Sequence, residues 1–376
     1  MPTQESSSVA SLPVSGRPGL ESCAEVVYDL LVGGLSHLTR GASRSGHWHD
    51  SRSTALAAMC LQIREENSLW LLTSRDWILD QQIQGGLAAG SWGEEIWDTA
   101  MCLLCLRELE VSARHPAFQA GLKWLGALYS ANGRSNWHDE PWETSWALIA
   151  ILRGGEVPAG VDVAASLKWL ASLQSPEGRL VAPHYTAYFI LIEHLYARRF
   201  GVDPALRAAS DRCVDFLLSN VEPDRLWTGE AWANGQILWV LCQTQRMPVA
   251  DPAFFKVVVD WFRAAQAVDG NWSDIEDTAS AILGLHRLLV TLKICSDGHE
   301  TEVHESIERR LRKGVPLPRL RLRKPFFERD DEADYYSIHL RASTARRIAA
   351  VLAFLLVGLV GWLANLLSLY HEATGK

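Results

Sequence analysis

Residues 260–289 read Asp260-Trp-Phe-Arg-Ala-Ala-Gln266-Ala-Val-Asp-Gly270-Asn-Trp272-Ser-Asp274-Ile-Glu276-Asp277-Thr278-Ala279, then an apolar run to Leu289. The pattern predicts an amphipathic helix ending at Gln266, a turn set by Asp269-Gly270, and a second helix opening on three carboxylates. Gly270 supplies the positive φ that a helix stop needs. The acids fall where free N–H groups and the helix dipole favour negative charge. The same order of features recurs along the chain. Turn tryptophans or their equivalents stand at Trp48, Trp92, Trp137, Leu180, Trp227 and Trp272, at intervals of 44, 45, 43, 47 and 45 residues.

A period of that size marks repeated helix pairs. Before the turns lie Trp77, Trp124, Trp169, Phe216 and Trp261. After them come Thr54-Ala, Thr99-Ala, Thr144-Ser, Thr186-Ala, Asn234-Gly and Thr278-Ala. Helices that follow a turn are apolar nearly all round (99–106, 144–152, 186–192), which suits an inner layer. Those that precede it carry a charged face. Six such pairs predict an all-α fold, an α6/α6 toroid of two concentric layers over residues 23–295. An open solenoid is the alternative. Closure is preferred because neither terminal repeat shows the polar outer face of a cap.

With 376 residues, 48% of them hydrophobic, the chain can bury a large core. Seven cysteines form no paired framework and mostly sit in apolar helical runs, as reduced core residues of a cytosolic protein would. Cys102 and Cys105 have metal-like spacing but lie mid-helix without a second pair, so packing is favoured over zinc. No cofactor and no metal site are expected. The net charge of -8 is unevenly spread: eight of the 36 Lys/Arg lie between positions 309 and 324, which leaves 28 against 44 acids, or -16, elsewhere. So acidic a body speaks against nucleic acid as a partner.

The flanks read differently from the repeats. Residues 1–22, rich in Ser, Pro and Gly, read as a disordered tail. Residues 296–347 read as a polar, then basic, juxtamembrane linker broken by Pro316, Pro318 and Pro325, with an acidic patch at 328–334. Residues 348–370 carry no charge over 23 positions. As a helix of about 34 Å they would cross a hydrocarbon core of about 30 Å. Arg341, Arg346 and Arg347 precede this run and only Lys376 follows it. The positive-inside rule then puts the barrel in the cytoplasm on a single-pass C-terminal anchor, with residues 371–376 as a stub outside. The basic segment 309–324 suits anionic lipid.

These repeats resemble the terpenoid cyclase and protein prenyltransferase repeat family, most closely the squalene–hopene cyclase (class II) type. Gln266-Ala-Val-Asp-Gly270-Asn-Trp272 matches the family's Q-x3-G-x-W repeat in full. Gln174-Ser-Pro-Glu-Gly178-Arg-Leu180 matches it with Leu for Trp, and Gln82 to Trp92 is a lengthened version. Trp97-Asp98-Thr99-Ala100 resembles the opening of the family's inner helices. The resemblance implies that each Gln caps helix ends, stacks on the Trp and ties the outer layer to the inner. It also aligns Asp274-Ile-Glu276-Asp277-Thr278-Ala279 with the Asp-x-Asp-Asp-Thr-Ala motif, whose middle acid protonates an alkene or epoxide. Glu276 then takes the donor's place, with Asp274 and Asp277 beside it. Crowded carboxylates raise one another's pKa, which suits a carboxyl that must stay neutral. The zinc set of the protein prenyltransferases is missing at the matching positions.

If the inner helices start at one rim, two positions per repeat ring its mouth. These are Arg52, Trp97, Trp142, His184, Trp232 and Glu276, and next to them Ser53, Asp98, Glu143, Tyr185, Ala233 and Asp277. Asp98, Glu143, Trp97, Trp142, Trp232, His184 and Tyr185 are therefore expected to bind substrate, the indoles by holding a prenyl chain or a carbocation. The bland alternatives are helix capping for the acids and packing for the indoles. His49-Asp50 and His138-Asp139 recur in parallel and read as turn polarity. Three functions fit: a membrane-anchored isoprenoid cyclase, a non-catalytic lipid-binding or protein-interaction toroid that has lost the acid, and a carbohydrate-active α/α toroid. The partners expected are an isoprenoid or other lipid-like molecule and the membrane, with room for a protein partner.

Overall fold

Turn chemistry sets the helix boundaries. Asp50, Ser68, Asp162, Asp203 and Asp251 each accept a backbone N–H at a helix start, satisfying donors that the helix cannot. Proline opens six of the helices, where its missing N–H costs nothing. The computed structural model describes residues 18–43, 46–64, 68–249, 251–297, 300–315 and 317, and two strands at 328–330 and 335–337. The expected membrane span, the stub after it and the first 17 residues of the tail lie outside the described residues.

Residues 1–320 and 321–376 form two separate units. In the first, six helices are buried on most sides: α2 (Ser51–Gln62), α4 (Ile96–Glu108), α6 (Pro141–Gly154), α8 (Pro183–Phe200), α10 (Ala231–Gln243) and α12 (Ile275–Asp297). Before each stands a more exposed partner: α1 (Pro18–Gly41), α3 (Leu69–Asp80), α5 (Pro116–Asn132), α7 (Val163–Ser172), α9 (Pro204–Ser219) and α11 (Pro252–Ala265). Each buried helix packs on the next, from α2 to α12, and α12 returns to α2 and α1. Helix α1 also meets α11.

The periodic residues explain how the pairs are joined. The indole N–H of Trp48, Trp92, Trp137, Trp227 and Trp272 donates to a carbonyl of the preceding helix, at Leu38, Ile78, Leu125, Leu217 and Phe262, over 2.7–3.0 Å. The backbone N–H of the same turn residue, Leu180 included, donates to the Thr or Asn side chain of the following helix. The five Trp turns are thus bonded to both helices of their pair. The glutamines do something other than the resemblance implied. Gln82, Gln174 and Gln266 each donate to their own turn glycine carbonyl and to a carbonyl of the next repeat's outer helix, at Ala117, Ala209 and Leu30. They tie neighbour to neighbour, and Gln266 ties the last repeat to the first. Gly270, at φ +92°, lies so close that an added Cβ would stand 2.2 Å from the Gly33 carbonyl oxygen. No other residue fits there.

Three boundaries need correction. Helix α1 begins at Pro18, inside the stretch expected as tail, because Leu20, Ala24 and Val27 give it a buried face. The stretch expected as linker begins with a helix, α13 (Glu300–Gly314), that packs on α1 and α12. Val303, Ile307 and Leu311, spaced at one helical turn, are buried and hold it there. Part of the basic segment is consequently docked. Arg310 makes a two-pronged pair with Glu25 and lies over the Tyr28 ring, while Arg64 donates to the Val315 carbonyl. The third correction concerns the second unit, where β1 (Glu328–Asp330) pairs antiparallel with β2 (Tyr335–Ser337), a small exception to the helical rule.

Among the described residues, one stretch, Ile275–Cys295 in α12, is long and apolar enough to cross a membrane. Most of it is buried within the helical body, as a core helix would be. Cys23, Cys60, Cys102, Cys105, Cys213 and Cys242 are buried free thiols, so the paired spacing of Cys102 and Cys105 serves packing.

Candidate functional site at the mouth of the inner helices

The first turns of the inner helices converge at one rim, as their spacing in the sequence required. Arg52 is the hub. Its Nε and NH2 reach Glu276 Oε1 at 2.7 Å, its NH1 reaches Asp98 Oδ1 at 2.9 Å, and its guanidinium lies 4.3 Å from the Trp97 ring centre. One cation thus serves two carboxylates from different helices, with 18–25% of each of the three side chains exposed. Burial pushes the Asp98 carboxyl up to about 6, with Arg52 opposing. Burial raises Glu276 as well, and its contact with Arg52 again opposes the shift.

The remaining acids act on backbone. Asp274 accepts the N–H of Asp277 at 2.8 Å and caps α12. Asp277 accepts the N–H of Trp232 at 3.2 Å, in the first turn of α10. Burial, then the neighbouring Asp274, raise Asp277 to about 6. Glu143 sits apart from the cluster, 2.6 Å from His138 Nδ1 on an exposed face. His49 lies 3.5 Å from Asp50, which caps α2. Among the described residues, no group of three or more His, Cys, Asp or Glu could hold a metal ion.

The aromatic residues expected at the mouth do meet. Trp142 is central, with ring centres 4.9 Å from Trp97, 5.7 Å from Trp232, 5.8 Å from His184 and 6.0 Å from Tyr185, mostly edge to face. Trp146 and Tyr188, one turn further in, complete the cluster. Such contacts fill the mouth with ring carbon. Burial holds His184 down to about 4, so its imidazole is neutral, and its buried Nδ1 has no partner.

A partly enclosed cavity of about 230 Å³ begins one turn below this rim. Leu56, Met101, Trp146, Gln236 and Ser280 line it, each four positions after Arg52, Trp97, Trp142, Trp232 and Glu276. It continues toward the C-terminal ends of the inner helices and reaches α13. None of the three motif acids, Asp274, Glu276 and Asp277, lines it. Sequence reading found the mouth and missed this deeper space. The i+4 positions were available as a signal, but the contribution of α13 was hidden by reading it as linker.

No protein-family model matches the chain, and no curated protein matches its sequence. Solved structures do match. The type II terpene cyclase MstE from Scytonema, as a variant in complex with merosterolic acid A (product), aligns with a TM-score of 0.54 at 13% identity, covering 72% of this chain and 99% of that one. A variant of the same enzyme with geranylgeranyl dihydroxybenzoate (substrate) gives 0.52 at 13% identity with the same coverage. The apo enzyme gives 0.53 at 12%, covering 71% and 98%. At such identities the likeness concerns fold. Helix pairs joined by Trp-bearing turns, and alignment over nearly the whole length of these structures, assign this chain a class II terpenoid cyclase-like fold.

Proposed function

We propose that this protein binds an isoprenoid or similar lipid-like molecule inside a closed α6/α6 toroid, and that its acid cluster is a structural lock instead of a proton donor. Support for closure comes from the return of α12 and α11 to the first repeat and from the Gln266 bond to the Leu30 carbonyl. The observation that carries the functional reading is the Arg52 clamp. Glu276 Oε1 receives two guanidinium N–H groups, one turn above a cavity that it does not line. Protonating an alkene needs a neutral carboxyl in contact with the chain, and a directly bonded cation favours the anion. The ligand-bearing MstE structures make a prenylated molecule the natural occupant. A C-terminal span at 348–370, with the barrel on the cytoplasmic side, would bring the cavity near lipid-borne ligand.

The cyclase reading keeps one supporting observation. Burial raises Asp98 and Asp277 to about 6, so neutral carboxyls exist beside the aromatic cluster under mildly acidic conditions, and it shifts Glu276 in the same direction. The carbohydrate reading has none, because Asp98 and Glu276 share one arginine instead of facing each other across a substrate-sized gap. The experiment is incubation of the full chain with linear polyprenyl substrates, with co-extracted lipid measured in parallel. Bound isoprenoid with no cyclised product, from wild type and Glu276→Gln alike, is the expected result. A cyclic product that disappears in Glu276→Gln would overturn the lock reading and restore the donor.

A further inference from the structure

The cavity is not uniformly apolar. Met59, Met101, Leu104, Trp146, Trp239 and Leu283 supply an apolar wall at its middle. At the end away from the mouth it meets two guanidiniums, Arg153 in the last turn of α6 and Arg287 on α12, with His286 and, from α13, His304. Arg153 donates from NH1 to Glu108 at 3.1 Å and lies 5.2 Å from the Trp239 ring centre, yet its buried Nε has no partner. The Trp146 indole N–H and the Gln236 carbonyl oxygen, both in the cavity wall, are also buried without partners. Buried polar groups are seldom left so. Three in one cavity mark a place for a polar group that is brought in.

Charge selects the kind of group. Glu108 is taken up by Arg153, and Glu308, the other acid of the wall, pairs with Arg312. Arg287 forms neither ion pair nor side-chain hydrogen bond among the described residues, so one positive charge is uncompensated. Burial, then the charges of Arg287 and His304, press His286 down to about 3, which leaves it neutral. Burial also lowers Arg153, Glu108 opposes, and Arg287 and Arg198 lower it further. Arg287 is half-buried and keeps some solvent, so its charge stands ready for an anion at little expense to the fold.

We propose that this cavity takes an amphiphile carrying a single negative charge, with a carboxylate-type head between Arg153 and Arg287 and an apolar chain along Leu104, Trp146 and Trp239 toward the mouth. A diphosphate would bring more charge than the site lacks. Helix α13, which lies outside the six repeats, forms the wall beside the head through His304 and Glu308, while Arg153 and Arg287 of the inner helices hold it. The proposal rests on the lipid-binding reading above and adds the head group and its polarity of entry.

The test is calorimetric titration of the full chain, in non-ionic detergent near neutral pH, with geranic acid, geraniol and geranyl diphosphate. Geranic acid is expected to bind about tenfold more tightly than geraniol, the return from charge-assisted hydrogen bonds, and no less tightly than the diphosphate. Arg287→Gln should bring acid and alcohol to parity, and Arg287→Lys should keep most of the preference. Equal binding of acid and alcohol by the wild type would overturn the head-group assignment and leave the lipid cavity standing. An acid preference that survives Arg287→Gln, or tighter binding of the diphosphate, would also overturn it. Absence of binding by both acid and alcohol would sink the lipid-binding reading along with it.

Discussion

The two ends of the inner helices are built from the same six elements, yet they are finished in opposite ways. At the N-terminal rim Arg52, Asp98, Glu276, Asp274 and Asp277 each have an opposite charge or a backbone N–H, and the gap is closed by indole and phenol rings. At the C-terminal end, around open space, Arg287 has no ion pair or side-chain hydrogen bond among the described residues and the buried Arg153 Nε has no partner. Satisfied polar groups and dense packing stabilise a fold, whereas deficits concentrate where something else must bind. Motif likeness draws attention to the first end, and physical chemistry draws it to the second.

The contrast can be broken most forcefully at its aromatic centre. Trp142→Ala should remove about 3 kcal/mol of stability, the usual cost of a large ring lost from a packed site, read as a lowered midpoint in denaturant. A much smaller loss would mean that the mouth is loosely filled. Next comes the hub. Arg52→Ala strands two half-buried carboxylates and should cost about 2 kcal/mol, less than a fully buried pair because all three groups keep some solvent. Adding Asp98→Asn and Glu276→Gln to that variant should recover much of the loss. If the triple variant is as unstable as the single one, the cluster is not an electrostatic lock.

A pH comparison sharpens the same point at smaller scale. The folded-state pKa of Asp98 lies near 6, above the ordinary carboxylate value, so the folded chain holds that proton more tightly than the unfolded one. Its contribution is present in full below about pH 4 and is lost as pH rises through about 6. Melting curves of wild type and Asp98→Asn should therefore differ in slope between those values and run parallel above them. A wild type that instead gains stability over Asp98→Asn as the pH rises through that window would reverse the sign and the argument. The smallest effect is expected at the other end. Arg287→Gln should leave the unfolding midpoint within about 0.5 kcal/mol of wild type, because no protein partner is lost. A large drop would show that Arg287 holds the fold together and is not held ready for a ligand.

What could be read from the sequence follows from which interactions repeat. The Trp, Thr and Gly positions recur because each turn solves the same hydrogen-bonding problem, and the periodic reading found all six pairs. It also found the rim, since residues at equal offsets in parallel helices must share a level. The pairing of Arg52 with Glu276 was not legible. The two stand 224 positions apart and meet only because the last inner helix packs on the first. Helix α13 was misread because its net polarity and flanking prolines outweighed three apolar residues at helical spacing. Arg153 and Arg287 carry no signal in the sequence, since single arginines on long helices commonly face solvent, and only the cavity gives them a common side.

The Gln266 side chain spans from the final turn to the Leu30 carbonyl with the same pair of bonds that Gln82 and Gln174 use between internal neighbours. Where the chain happens to start is therefore not privileged by that junction. A circular permutant of the helical unit, residues 18–315, cut at the exposed Leu87 loop and with its two ends linked, should therefore refold. Deleting one helical pair, by contrast, should weaken the whole first unit, since the bonds of Gln266 and the packing of α12 on α1 and α2 would lose their partners.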